Sequence, residues 1–207
     1  MLSSSTVAQK TPDMSQYKPK FGVKGGYNYS KLYGSSASFK SEAKNGFMVA
    51  AFYSAGGGTG MGYRTELVFS RQGFSYDSTG SKIKVKQDYI YLPQFTTFNI
   101  GKFLQFQAGA QLGLLLNAVK AKDSSGARET DIMGLYNKID YGVAAGVEMY
   151  PFKGLILGAR YNLSLGNMYK RQQDAMSQPG MPYPLPFNPD ELKGKNAVIN
   201  FFAGYRF

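Results

Sequence analysis

The stretch Leu104-Gln-Phe-Gln-Ala-Gly-Ala-Gln-Leu-Gly-Leu-Leu-Leu-Asn117 decides the fold, because apolar and polar residues alternate along it. In a β-strand successive side chains point to opposite faces. One face would then carry Leu104, Phe106, Ala108, Ala110, Leu112, Leu114 and Leu116, and the other mostly Gln105, Gln107, Gly109, Gln111, Gly113 and Asn117. One apolar face and one amide-rich face are typical of a barrel wall with lipid outside and a polar lumen inside.

Seven further segments repeat this alternation. They begin near Phe21, Gly46, Tyr63, Ile83, Ile139, Leu155 and Ala197. Pro93 interrupts the fourth segment of the series, where its missing N–H predicts a bulge or a locally open edge. The series predicts an all-β chain that forms an eight-stranded antiparallel up-and-down transmembrane β-barrel with a filled lumen.

The connections between the segments alternate between long and short. The long ones cover 31–45, 73–82, 120–137 and 168–195, and the short ones cover 56–60, 99–102 and 151–154. Outer-membrane barrels have this asymmetry, with long loops outside and tight turns in the periplasm. An even number of strands therefore predicts that both chain ends are periplasmic.

The composition narrows the possible functions. The 207 residues include no Cys and no His, so disulfides and thiolate metal sites are excluded, and the commonest general base is missing. We therefore expect no enzyme activity, no cofactor and no metal. The net charge of +11 is scattered along the chain without a basic run, so an anionic membrane surface or a basic lumen is favoured over nucleic acid.

A soluble lipocalin-like barrel that binds a ligand is the alternative fold with eight strands. It would place apolar residues inside and polar residues outside. Aromatic residues gather near the strand ends instead, which is typical of the girdles of membrane barrels. They are Phe21, Tyr63, Phe103 and Tyr205 towards the short turns, and Phe47, Phe69 and Tyr141 towards the long loops.

Several motifs resemble those of the PorT-like outer-membrane β-barrel proteins of the Bacteroidetes. They are Phe21-Gly-Val-Lys-Gly-Gly-Tyr-Asn-Tyr-Ser30, Glu66-Leu-Val-Phe-Ser-Arg-Gln-Gly73, Tyr89-Ile-Tyr-Leu-Pro93, Gly158-Ala-Arg-Tyr-Asn162 and Gly204-Tyr-Arg-Phe207. A Glu is commoner than Tyr91 in that family. The resemblance covers about residues 20–207 and specifies a fold and a compartment, not a reaction.

The resemblance implies an outer-membrane location and, through the family's namesake, a link to type IX secretion. It also implies that Tyr205 and Phe207 belong to a signal that the barrel insertion machinery reads. We therefore expect outer-membrane lipid, lipopolysaccharide and this machinery as partners, with another envelope protein or a secretion complex as a further partner. Residues 1–19 are predicted to be a disordered segment or a signal-peptide remnant, and 20–207 to be the barrel.

Charged residues at inward positions form the first candidate site. They are Lys24, Arg64, Glu66, Asp88, Glu148, Arg160 and Arg206. A barrel of eight strands is just wide enough for side chains to fill, and about 16 strands are needed for an aqueous channel. A plug of mutually neutralising charges is therefore favoured over a transport path.

The last long loop is the second candidate site. Five prolines alternate there with apolar residues. The apolar residues are Met176, Met181, Tyr183, Leu185 and Phe187. Prolines lower the entropy of an extended segment, so the loop could dock into a partner's groove or fold as a lid over the barrel. The sequence thus favours a non-enzymatic structural or binding protein that docks another envelope component, with an accessory subunit of a secretion or uptake complex as the alternative.

Overall fold

The computed structural model describes residues 19–33, 41–55, 60–78, 81–122, 129–170 and 194–207, and these residues are almost entirely β-sheet. The strands are β1 (Lys20–Tyr33), β2 (Ser41–Ala55), β3 (Gly60–Ser78), β4 (Ser81–Ile100), β5 (Leu104–Lys122), β6 (Thr130–Asp131), β7 (Ile139–Met149), β8 (Leu155–Ser164) and β9 (Lys195–Arg206). One turn of 3-10 helix covers Met133–Leu135. Within the described ranges, no helix is long and apolar enough to cross a membrane.

The eight long strands close into a ring. Each pairs antiparallel with the next long strand along the chain, and β1 pairs with β9 to complete the circle. The two-residue strand β6 lies outside the ring and pairs with β5 near its end. This closed sheet confirms the predicted eight-stranded antiparallel barrel.

Exposure alternates along the strands as the sequence predicts. In β5, Leu112 is 62% exposed on the outside whereas Gln111 is 5% exposed in the lumen. The prediction fails at Asn117, which is exposed, while Ala118 is fully buried. Leu115 and Asn117 face consecutive residues of β4, so Leu116 is the extra residue of a bulge. An extra residue reverses the faces of those that follow it.

The fourth strand passes Pro93 without a change of register. The pairs Thr65–Gln94 and Val68–Tyr91 share one register, but the β3–β4 ladder has no pair between them. The edge of β4 is therefore locally open at Pro93, one of the two outcomes that the missing N–H predicts. The nearest register shift lies instead at Asp88 and Tyr89, on the side that faces β5.

The barrel wall is taller on one side. Strands β3, β4 and β5 have 19, 20 and 19 residues, whereas β7, β8 and β9 have 11, 10 and 12. The β3–β4 hairpin stays paired as far as Ser78 and Ser81, so most of the predicted connection 73–82 is strand. Pairing between β5 and β7 ends at Leu114 and Ile139, and β5 continues to Lys122. At ~3.3 Å per residue and a tilt of ~40°, this excess raises the wall by about 20 Å.

The outer surface carries an apolar band with an aromatic girdle at each end. Phe21, Tyr63 and Phe98 are exposed near the short turns, and Tyr29, Phe47 and Tyr141 are exposed near the long loops. Lys20 pairs with Ser54 and Arg206 pairs with Gly22, so both ends of the barrel sequence lie at the end with the short turns. The band fixes which part of the wall faces lipid.

Candidate functional site

Five charged side chains from four strands meet inside the barrel and form the lumenal charge cluster. They are Lys24 of β1, Arg64 and Glu66 of β3, Glu148 of β7 and Arg160 of β8, and none is more than 3% exposed. Each occupies an inward position of its strand, because its neighbours along the chain face lipid. The structure thus brings together five of the seven residues that the sequence suggested.

Each carboxylate of the cluster accepts hydrogen bonds from several donors. Arg160 donates two parallel bonds to Glu66, at 2.9 and 3.0 Å, and Lys24 Nζ lies 2.5 Å from the same carboxylate. Glu148 accepts from Arg64 Nη1 at 2.6 Å and from Lys24 Nζ at 3.0 Å. It also accepts from the Tyr150 hydroxyl at 2.8 Å. Such pairing of both carboxylates is what allows charges to be buried, although the Nε atoms of Arg64 and Arg160 have no hydrogen-bond partner.

Three cations share two carboxylates, and aromatic rings face the cations on their remaining sides. Arg160 Cζ lies 4.4 Å from the centroid of the Phe95 ring, and Arg64 Cζ lies 4.5 Å from that of Phe52. Lys24 Nζ lies 4.7 Å from the centroid of Phe202. The negative face of an aromatic ring attracts a cation, most strongly where water is excluded. The sequence reasoning missed these three rings, although their inward positions in the alternation could have revealed them.

Asp88 and Arg206 do not join the cluster. Asp88 is 8% exposed, but its cross-strand partner on β3 is the exposed residue Arg71, and it has the parity of the outward residue Leu92. It therefore lies on the outer side of the wall, and its prediction as a lumenal residue was wrong. It forms two hydrogen bonds with Arg71, at 2.7 and 2.9 Å, beyond the girdle near the long loops. Arg206 lies at the other end of the barrel, where its guanidinium carbon is 4.3 Å from the Tyr150 ring centroid.

A layer of amides and hydroxyls fills the lumen next to the charge cluster. Asn28 Nδ2 donates to Ser70 Oγ at 2.9 Å, and Asn200 Nδ2 donates to Asn28 Oδ1 at 2.6 Å. A cavity of about 20 Å³ beside this layer is lined by Gln72 and Arg160, among others. This volume is enough for about one water molecule. The layer is polar but too closely packed for a solute path.

Apolar and aromatic side chains close the lumen towards the long loops. They are Leu32, Phe74, Val85, Tyr89, Leu135, Tyr136, Met168 and Tyr169, all buried. The rings of Tyr136 and Tyr169 lie 5.0 Å apart between centroids. Burial raises the pKa of both hydroxyls well above the usual value, so this aromatic cap is uncharged at physiological pH. The lumen is therefore filled by a charged, an amide and an aromatic layer.

This arrangement leaves little capacity for acid–base or metal chemistry. Both carboxylates of the cluster are held by cations, so neither is free to take a proton from a substrate. In the part of the chain that the structure describes, no group of three acidic, His or Cys side chains could hold a metal ion. The cluster is built to fill the barrel.

The other predicted sites have different outcomes. The proline-rich loop residues Met176, Met181, Tyr183, Leu185 and Phe187 lie outside the described residues, as do residues 1–18 of the N-terminal segment. Tyr205 and Phe207 are exposed beside the short turns, with ring centroids 5.4 Å apart. Their role in membrane insertion stays a prediction.

Sequence and structure comparisons agree with this architecture. Residues 8–170 match the family model described as "Outer membrane protein beta-barrel domain". Ail of Yersinia pestis, solved in complex with the heparin analogue sucrose octasulfate, is 17% identical, with a TM-score of 0.51 over 92% of this chain and 99% of Ail. Neisserial surface protein A is 17% identical, with a TM-score of 0.53 over 90% of this chain and 97% of that protein. No curated protein sequence matches significantly.

The soluble lipocalin-like alternative is therefore wrong. Its physical premise was an apolar interior, but here the apolar residues form the outer band and the charged residues are buried inside. The same inversion of polarity is expected of a barrel that lipid surrounds.

Proposed function

Because the chain belongs to the outer membrane protein β-barrel domain family of the bacterial outer membrane, we propose that it is a non-enzymatic binding protein. It docks another envelope component through the end of the barrel that carries the long loops. The filled lumen supports this proposal most directly. A barrel whose interior is occupied by its own side chains has only its surfaces available for function.

The tall wall formed by β3, β4 and β5 is the favoured docking surface. Its outer face beyond the lipid band carries both charges, including the Arg71–Asp88 pair and an ion pair between Lys86 and Glu129. A polar face with mixed charges suits a protein surface or the headgroups of lipopolysaccharide better than acyl chains. The proline-rich loop 168–195 joins β8 to β9 at the same end of the barrel.

The motifs shared with PorT-like proteins favour one class of partner. They support the alternative that the barrel is an accessory subunit of a secretion or uptake complex of the type IX kind. In both versions the long loops are outside the cell and the chain ends are periplasmic. The insertion machinery would then read Tyr205 and Phe207 from the periplasmic side.

Single cysteines can test this orientation because the chain has none of its own. Thr130→Cys lies near the long loops and Lys153→Cys lies in a short turn, and both sites are exposed. A membrane-impermeant maleimide should label Thr130→Cys on intact cells, and Lys153→Cys only after the outer membrane is permeabilised. The opposite labelling pattern would invert the proposed topology.

Chemical cross-linking in cells, followed by mass spectrometry, tests the docking function. The wild type is compared with a deletion of 176–189 and with a chain whose β3–β4 hairpin is shortened beyond Gly73. Cross-links to one envelope component should fall by at least tenfold in one or both variants, while unboiled samples still migrate as folded barrels. Unchanged cross-links in both variants would refute docking through this end. Loss of a secretion-complex component in particular would favour the accessory-subunit version.

A further inference from the structure

A single carboxylate is buried in the lumen away from the charge cluster. Asp140 is 8% exposed and points inward from the second position of β7. The hydroxyls of Tyr91 and Ser164 donate to its Oδ2 at 2.9 and 2.6 Å, and the backbone N–H of Tyr141 donates to the same carboxylate. Among the residues that the structure describes, none forms an ion pair with it. All of its protein donors are therefore neutral.

The cations of the charge cluster are too far away to neutralise Asp140. The Arg160 guanidinium donates to Gln107 of β5 at 3.3 Å. Gln107 is six residues along β5 from Gly113, which is the cross-strand partner of Asp140. At ~3.3 Å per residue, the two levels are ~20 Å apart along the strand. A buried charge needs a partner of opposite charge or a metal ion, so the charge of Asp140 is left to be balanced by a ligand.

A small cavity adjoins Asp140 at the end of the lumen towards the long loops. Its volume is about 10 Å³, close to that of one water-sized sphere. Asp140, Ser164 and Asn196 line it from the successive strands β7, β8 and β9. Asn137, just before β7, and Asn167, just after β8, also line it, and Asn167 is exposed. A small ion can therefore reach the cavity from the end with the long loops.

One amide oxygen on the cavity wall has no hydrogen-bond partner. Asn196 is 4% exposed, and its Oδ1 is buried without a donor. Its Nδ2 donates to Gln87 Oε1 at 3.3 Å, so the oxygen is the end of the amide that is left to face the cavity. Asn137 Nδ2 donates to the backbone carbonyls of Asn167 and Tyr169, at 2.8 and 3.1 Å, which leaves Oδ1 as its remaining group. Oxygens that cannot bond each other thus share the cavity with a carboxylate.

These groups are the ligands that a hard cation prefers. Carboxylate and amide oxygens suit such ions, and the absence of Cys and His from the chain argues only against softer metals. Mg²⁺ keeps several of its water molecules, for which a cavity of this size has no room. One carboxylate balances one positive charge, so a monovalent ion leaves the site neutral, whereas Ca²⁺ would leave a buried excess charge.

We infer that the barrel binds one Na⁺ ion in this cavity, with Asp140 as the charged ligand and Asn196 and Asn137 as neutral oxygen ligands. The ion joins the start of β7 to the start of β9 across the end of β8, at the bases of the long loops that these strands carry. This inference does not depend on the proposed docking function, because the site lies inside the barrel.

Urea unfolding at constant ionic strength tests the ion site. The refolded barrel is measured in a neutral detergent while NaCl replaces choline chloride, whose cation is too large for the cavity. An ion that binds only the folded state lowers the unfolding equilibrium constant by the factor 1 + [Na⁺]/Kd. With a Kd of about 50 mM, the constant should fall about sixfold between about 10 and about 300 mM NaCl. Asp140→Asn should show no such fall.

Two further variants separate the site from general effects of salt. Asp77→Asn removes an exposed carboxylate, so it changes the net charge by the same amount as Asp140→Asn and should keep the full response to NaCl. Asn196→Leu keeps Asp140 but removes the unpartnered oxygen, and the weaker binding should reduce the fall to below about twofold. A flat response of the wild type, an equal fall in Asp140→Asn, or the same stabilisation by about 1 mM CaCl₂ in choline chloride would each overturn the Na⁺ site.

Relaxation of ²³Na in NMR reports binding to the folded barrel without unfolding it. The wild type should raise the ²³Na relaxation rate above that of empty micelles. This excess should fall at least threefold in Asp140→Asn and in Asn196→Leu, and it should persist in Asp77→Asn. An equal excess in all four chains would show only general attraction of ions and would also overturn the site.

Discussion

Replacing one carboxylate of the lumenal charge cluster should destabilise the barrel far more than replacing one cation. Glu148→Gln keeps the shape but leaves Lys24, Arg64 and Arg160 with the single carboxylate of Glu66. Removal of one partner from a buried ion pair costs ~3–5 kcal/mol, because the other charge stays buried. The free energy of unfolding should fall by this amount.

The matched variant Lys24→Met should be nearly neutral. It leaves two arginines with two carboxylates, and Glu66 keeps both of its bonds from Arg160. The Met side chain is about as long as the Lys stem and can keep packing against Phe202, beside which the ammonium now lies. Replacement of a buried charge by an apolar group of similar volume is often neutral, so we expect a change within ~1 kcal/mol.

The measurement is urea unfolding in detergent micelles, with the folded fraction read from the shifted band of unboiled samples. At an m-value of ~3 kcal/mol per M, Glu148→Gln should lower the midpoint by more than about 1 M. Lys24→Met should move it by less than about 0.4 M. A midpoint shift as large for Lys24→Met as for Glu148→Gln would refute the charge balance on which this reasoning depends.

Three further changes have defined outcomes. A Cβ at Gly109 would lie 1.8 Å from a backbone oxygen of β4, so Gly109→Ala should lower the free energy of unfolding by ~2–4 kcal/mol in the same urea assay. Gly25→Ala is the control and should be nearly neutral, because a Cβ there would meet nothing nearer than 3.9 Å. Burial, together with neighbouring lysine charges, lowers the pKa of Lys44 to about 8, so the folded chain loses this proton at a lower pH than the unfolded chain does. Stability relative to Lys44→Met should therefore rise between pH 8 and pH 10.5, and a flat difference would contradict this. Tyr91→Phe removes a 2.9 Å hydrogen bond to the buried carboxylate of Asp140. It should lower the free energy of unfolding by ~1–3 kcal/mol, seen as a lower urea midpoint.

The sequence indicates which face of its strand a residue occupies, but not which residues meet across the lumen. Strict alternation in β5 is enough to assign Gln107 to the lumen and Leu112 to lipid, since each residue type suits only one environment. The contact between Lys24 and Glu148 depends on which strands face each other across the barrel. The local sequence does not encode the distance between these two side chains. Inward positions, including those of the aromatic rings, were therefore predictable, whereas the ion pairs, the contacts between the rings and the cations, and the bulge at Leu116 were not.

Asp88 shows where alternation fails as a guide. The neighbouring residues Tyr89 and Tyr91 are buried in the lumen, while Ile90 and Leu92 face outwards. Both faces of this part of β4 are thus apolar or aromatic, and the period of two disappears. A buried aromatic cap and a lipid-facing band need the same residue types, so hydropathy cannot distinguish the two sides.

The long sequence separations within the charge cluster indicate when it forms. Lys24 lies 42 residues from Glu66 and 124 residues from Glu148, so no single hairpin contains a complete carboxylate site. The charges of the cluster are fully paired only after β1 has paired with β9, because this closure brings β1 and β7 into one ring. A slip of one residue in any of the four contributing strands would turn a charge towards lipid. We therefore expect the cluster to favour the closed barrel in its correct register. Glu148→Gln should then slow the appearance of the folded band without changing the early formation of β-structure.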